Sequence, residues 1–217
     1  MEQDSVAQVF IVDDDPSVQR ALRRLLTTHG LPARIFCSAK EFLDQGASVP
    51  AVGCLVLDVK MPGLSGLDLQ AELQQRGMRL PIVFITGHGT VPMSVQAMKE
   101  GAVDFLQKPF DSQTLIAAIR KAITRSRQQA TEEQECRNLE QRFESLSPRE
   151  REVFRLVVKG LLNKQIAFEL RIVEKTVKVH RARLMQKMQA ESLAELVTMA
   201  ETLRLPPCSS STLSSLK

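Results

Sequence analysis

The chain has no tryptophan and no tyrosine among its 217 residues, and phenylalanine is its only aromatic residue, with nine copies. Its cores must therefore be aliphatic with a few phenylalanines. No apolar run approaches the roughly 18–20 residues that a membrane-spanning helix needs. The four cysteines (Cys37, Cys54, Cys136, Cys208) form no CxxC pair, and His29, His88 and His180 are equally dispersed. That spacing argues against a zinc site or a disulfide framework and for reduced thiols. Met1 to Gln8 carries acids and no basic stretch, so no secretory leader is expected, and a cytoplasmic protein with no membrane partner is.

What is present is ordinary for a soluble globular protein: 43% apolar and 25% charged residues. The length suits one domain of common size, a linker and a smaller domain. The formal net charge of +4 is unevenly spread. Residues 1–122 hold 12 basic and 13 acidic side chains, residues 123–144 hold 4 and 5, and residues 145–217 hold 13 and 7. The last third thus carries +6, which points to a polyanionic partner.

The first part alternates short apolar runs with amphipathic stretches. Gln8–Val12, Ala33–Phe36, Cys54–Leu57, Pro81–Thr86 and Val103–Leu106 read as buried strands. Helical spacing appears in Pro16–His29, in a segment beginning near Gly66, around Val95–Met98, and in the face formed by Leu115, Ile116, Ile119 and Ile123. Alternating strands and helices predict an α/β fold, a doubly wound five-stranded parallel sheet. Ligands in such sheets bind beyond the carboxyl ends of the strands. Those ends carry Asp13, Asp14, Asp58, Thr86 and Lys108.

From Thr124 to Phe143 the chain is polar and free of glycine and proline, and we read residues 123–144 as a helical linker rather than a loose tether. Residues 145–204 fit a small all-α domain of four short helices. The first has Ser147 as its N-cap, Pro148 at its first position and Glu150 to close a capping box. Residues 205–217 are Ser-rich with little to bury and are expected to be disordered.

Clustered carboxylates need a cation, and Mg²⁺ prefers oxygen ligands. A nearby Lys would neutralise a phosphoryl group, a hydroxyl would hydrogen-bond it, and a carboxylate would accept it as an acyl phosphate. Val9-Phe10-Ile11-Val12-Asp13-Asp14-Asp15, Leu57-Asp58-Val59-Lys60-Met61-Pro62-Gly63, Ile85-Thr86-Gly87-His88-Gly89 and Lys108-Pro109-Phe110 resemble the receiver domains of two-component systems, of the FixJ/NarL type. The resemblance covers about residues 6–122 and implies that residues 1–122 form a flavodoxin-like phosphoacceptor domain. It implies that Asp58 takes the phosphoryl group and that Thr86 and Lys108 contact it. It further implies that Asp13, Asp14, Asp58 and the backbone carbonyl of Lys60 hold Mg²⁺, and that Phe105 switches with Thr86. His88 reads as a surface loop residue, and Asp15 as the cap of the following helix.

The segment Asn163–Leu170, a short break and Glu174–Met188 reads as helix-turn-helix, the second helix entering the major groove. Val177, Leu184 and Met188 recur at core spacing, whereas Lys175, Thr176, Lys178, Val179, Arg181, Ala182 and Arg183 can face outward. Leu146-Ser147-Pro148-Arg149-Glu150, Gly160-Leu161-Leu162-Asn163-Lys164-Gln165-Ile166-Ala167 and Lys175-Thr176-Val177-Lys178-Val179-His180 resemble the LuxR-type output domain. By that resemblance Lys178 and Val179 read bases, Lys175, Thr176 and Arg183 hold phosphates, and Ala182 can meet a thymine methyl. Leu162 and Val173 stand where relatives often have a hydroxyl cap, and Arg171 stands where they often have glycine.

These resemblances imply a DNA-binding transcription regulator, not an enzyme beyond its own phosphorylation and slow dephosphorylation. A sensor histidine kinase would phosphorylate Asp58. The fourth-helix and fifth-strand surface would then form a homodimer on double-stranded promoter DNA, with RNA polymerase as a further partner. Two other readings use the same residues: a Mg²⁺-dependent phosphatase acting on a separate substrate, and a basic helix that binds protein instead of DNA.

Overall fold

The computed structural model describes residues 7–45, 52–87 and 89–203. His88 and the tail at 205–217 lie outside these, as does Cys208. The chain divides into two compact units between Thr131 and Glu132.

The first unit contains β1 (Gln8–Val12), α1 (Pro16–Thr28), β2 (Ala33–Phe36), α2 (Ala39–Gln45), β3 (Gly53–Asp58), α3 (Gly66–Gln75), β4 (Ile82–Thr86), α4 (Val91–Lys99) and β5 (Asp104–Gln107). The strands form one parallel sheet in the order β2-β1-β3-β4-β5. Alternation along each strand sorts side chains to the two faces. Val9, Ile11, Cys54, Val56, Val83 and Ile85 pack with Leu22, Leu26, Leu115 and Ile119. Phe10, Val12, Leu55, Leu57 and Phe84 pack with Phe36, Phe42, Leu69, Leu73 and Ala97. With both faces covered, the middle strands are apolar throughout and their polar residues are pushed to the ends. Cys54 is fully buried, which pushes its thiol up to about 12 and leaves it unreactive at neutral pH.

Two helices are less plain in the sequence pattern. The fourth, which contains Val95–Met98 as expected, begins at Val91, with Thr90 at its N-cap and Pro92 in its first turn. Its apolar residues Val91, Val95 and Met98 face solvent, so core spacing does not mark its beginning. The second helix, α2, buries only Ala39 and Phe42 fully, with Leu43 packed beside them, too few positions to show a period.

Helix α5 (Ser112–Glu144) runs unbroken for 33 residues across the division. In the first unit Leu115, Ile116, Ile119 and Ile123 cover the sheet, and the buried Ser126 hydroxyl accepts the Gly53 N–H at 3.0 Å. In the second unit its last turns bury Leu139 and set Phe143 edge-on against Phe154, ring centroids 5.4 Å apart.

The second unit continues with α6 (Pro148–Val158), α7 (Asn163–Glu169), α8 (Glu174–Met188) and α9 (Leu193–Thr202). Val153, Phe154, Val157, Ile166, Val177, Leu184, Met188 and Leu196 form its core. The capping box is present: Ser147 N–H donates to Glu150 at 2.9 Å, and Glu150 also receives Lys187 Nζ at 2.7 Å. Leu162 and Val173 occupy the N-caps of α7 and α8 without a side-chain cap bond, though Gln165 Oε1 accepts the Leu162 N–H at 2.8 Å. Arg171, in the turn between α7 and α8, is held at φ 51°, in the left-handed region.

Candidate functional site

The carboxyl edge of the sheet gathers the residues that interrupt its apolar runs. Asp13 follows β1, Asp58 ends β3, Thr86 ends β4 and Lys108 follows β5. Parallel register sets Val12 beside Leu57, Asp58 beside Ile85, and Thr86 beside Gln107. The edge between β1 and β3 is where the strand order reverses, the usual ligand crevice of doubly wound sheets.

Lys108 Nζ donates to Asp13 Oδ2 at 2.8 Å and to Asp58 Oδ2 at 2.9 Å. One ammonium thus bridges two carboxylates, while Asp58 Oδ1 accepts the Lys60 N–H at 3.1 Å. Asp13 is fully buried and also accepts the Asp15 N–H at 2.9 Å. Burial raises the Asp13 pKa above its ordinary value, and the Lys108 bond opposes this only in part. Burial alone would lower the Lys108 pKa, but its bonds to Asp13 and Asp58 hold it raised and the ammonium charged. Asp15 is indeed a helix cap: its carboxylate accepts the Ser17 hydroxyl and N–H, and these bonds lower its pKa.

Asp13, Asp14 and Asp58 offer carboxylate oxygens within 4.8 Å of one another. The set is all-oxygen and anionic, with Asp13 and Asp58 buried and Asp14 exposed, which fits a hard cation of the Mg²⁺ class.

Thr86 is fully buried, and its carbonyl accepts the Lys108 N–H at 2.7 Å. Phe105 is half-buried, pairs in register with Phe84 and packs on it at a ring separation of 6.1 Å. Two glycines whose role the sequence pattern does not show lie beside these residues. Gly66 opens α3, and a Cβ there would collide with the Asp58 carbonyl, so glycine alone lets the helix start against the end of β3. Gly89 lies against Thr86 and Phe105. Glycines are too common in loops for either requirement to show in the sequence.

In the second unit, α8 buries Val177, Leu184 and Met188 and exposes Lys175, Lys178, Val179, Ala182 and Arg183, with Thr176 half-buried beside them. Lys178 pairs with Glu174 at 3.4 Å on the same surface. Arg181 differs from the outward reading. It is half-buried and donates to Asn163 Oδ1 at 3.1 Å, bracing α8 against α7. Among the described residues, no helix is long and apolar enough to cross a membrane.

Residues 9–120 match the family described as response regulator receiver domain, and residues 144–200 match bacterial regulatory proteins, luxR family. The chain is 50% identical to nodulation protein W of Bradyrhizobium diazoefficiens over 93% of its own length and 88% of that protein. It is 46% identical to the transcriptional regulatory protein FixJ of Azorhizobium caulinodans, covering 94% of this chain and 96% of that one. Among solved structures, the response regulator StyR superposes with a TM-score of 0.77 at 48% identity, covering 91% of this chain and 99% of StyR.

Proposed function

The chain belongs to the response regulators that join a receiver domain to a luxR-family DNA-binding domain, and from that premise we propose that Asp58 is its phosphoacceptor and α8 its DNA reader. Residues 1–122 act as the receiver, 123–144 as the connecting helix, and 145–204 as the output domain. The protein is a transcriptional response regulator. The observation that carries the assignment of Asp58 is the single Lys108 ammonium shared between Asp13 and Asp58.

The phosphoryl group comes from a phosphohistidine of a sensor histidine kinase. An Asp58 carboxylate oxygen attacks phosphorus, the P–N bond breaks as the new P–O bond forms, and the imidazole departs. Lys108 is already within reach of that oxygen and moves with it to the phosphoryl oxygens, and Thr86 hydrogen-bonds another of them. Asp13, Asp14, Asp58 and the Lys60 carbonyl are the groups that would hold Mg²⁺. Bound there, the cation supplies neutralisation of phosphoryl charge. Phosphorylation then draws Thr86 toward Asp58 and Phe105 follows, altering the α4–β5 surface. The exposed apolar side chains Val91, Val95 and Met98 suit that face to a homodimer. A dimer places two copies of α8 on paired half-sites of promoter DNA, where RNA polymerase is the further partner. A cytoplasmic location follows from these partners.

The test is intact-protein mass after incubation with Mg²⁺ and acetyl phosphate, alongside DNA binding before and after. The wild-type chain should gain one phosphoryl group and bind DNA more tightly, and Asp58→Asn should do neither. A mass gain in Asp58→Asn would assign the acceptor elsewhere. Steady turnover of a small phosphoester would favour the phosphatase reading.

A further inference from the structure

We propose that Gly89 is a positioning residue of the phosphorylation switch, because its missing side chain is what lets Thr86 and Phe105 move together. The proposal rests on the reading of Asp58 as phosphoacceptor. A Cβ built on Gly89 would lie 2.9 Å from Thr86 Cγ2, 2.9 Å from Phe105 Cε1 and 3.3 Å from Phe105 Cζ. Non-bonded carbons rest at about 3.5–4.0 Å, so a methyl here must displace one neighbour or both.

Backbone conformation is not the reason for this glycine. Gly63 and Gly101 have φ of 80° and 89°, and a Cβ on either meets nothing within 4 Å. Those positions need glycine for the turn. At Gly89 the demand is for space, and the two side chains that demand it are the two that the switch moves. Thr86 sits at the end of β4 with its side chain buried, and Phe105 sits on the neighbouring strand with Phe84 behind its ring. When the Thr86 hydroxyl turns toward a phosphoryl oxygen, its methyl must swing, and the Phe105 ring takes up the room released. Gly89 is the wall past which both slide. The contacts among Lys108, Asp13 and Asp58 are made without it. A methyl at position 89 therefore separates acceptance of the phosphoryl group from its transmission.

The experiment uses full-length protein, acetyl phosphate with Mg²⁺, and a duplex selected by phosphorylated wild type from a randomised pool. Phosphoryl mass gain and DNA affinity are measured for wild type, Gly89→Ala, Thr86→Ser and Thr86→Ser/Gly89→Ala. Gly89→Ala should load at a rate within about twofold of wild type, while its phosphorylation-induced gain in DNA affinity falls by about tenfold, within the usual range of coupling between sites. Serine keeps the hydroxyl but lacks Cγ2, so in the Thr86→Ser background the same methyl should cost markedly less. The proposal is overturned if Gly89→Ala responds to phosphorylation as wild type does, if it takes up no phosphoryl group, or if its cost is the same in both backgrounds. A wild-type chain that gains no mass with acetyl phosphate refutes instead the phosphoacceptor reading beneath it. One that loads without any change in DNA affinity removes the switch, and Gly89 with it.

Discussion

Arg171 offers a measurable test of how the turn between α7 and α8 is held. Its φ of 51° places an L-residue with a full side chain in the left-handed region. There the Cβ crowds the following carbonyl, at a cost of roughly 1–2 kcal/mol. Arg171→Gly removes that cost but enlarges the unfolded ensemble, which returns about 0.4–1 kcal/mol. The net expectation is a stabilisation of the second unit by about 0.5–1 kcal/mol. For a domain of this size that is a rise in melting temperature of about 3–6 °C. Arg171→Ala is the control: it removes the same charge and long side chain but keeps the strained backbone, and should give none of this gain. Amide exchange of α7 and α8 in the full-length chain, followed through urea, reads the second unit separately from the first. Equal stability of the Gly and Ala variants, or a less stable Gly variant, would refute the strain argument. Both variants lose the same charge, so a change in the salt dependence of DNA binding should be common to the two.

Four further outcomes are expected. Asp14→Ala should weaken Mg²⁺ binding strongly by calorimetry while leaving the Lys108 bridge to Asp13 and Asp58 in place, and unchanged affinity would remove Asp14 from the metal site. The Lys187 hydrogen bond holds the Glu150 pKa below its ordinary 4.5, so this contribution to stability is complete above that value and is lost as pH falls through the depressed folded value. Glu150→Gln should accordingly cost about 1–2 kcal/mol in a urea titration at pH 7, allowing for the partial exposure of Lys187, and progressively less in acid; a cost independent of pH would contradict the pairing. Lys178→Ala should relax sequence preference at one position of each half-site, whereas Arg183→Ala should weaken specific and random duplexes alike and lower the salt slope by about 1. Replacing thymine by deoxyuridine in the selected site should weaken binding where Val179 or Ala182 meets a 5-methyl group, and identical affinities would exclude that contact.

Much of this is legible in the sequence itself. Periodicity sets the strands apart from most of the helices, because a sheet covered on both faces forces its middle strands to be apolar without interruption. Against such runs Asp13, Asp58, Thr86 and Lys108 stand out at the strand ends, and their order carried the family resemblance. The core positions of α8 and the cap at Ser147 were equally plain, since both depend on neighbours within a turn or two. Tertiary structure decided what depends on distant neighbours. Only the sheet register brings Lys108 to Asp13 and Asp58, 95 and 50 residues away in the chain. Arg181 can face outward by its spacing on α8 and is instead tied to Asn163 of α7. The solvent-facing apolar residues of α4 hid where that helix begins. Gly66 and Gly89 are needed for space beside Asp58, Thr86 and Phe105. A sequence records which side chain is missing at such a position, but only the packed neighbours reveal what its absence makes room for.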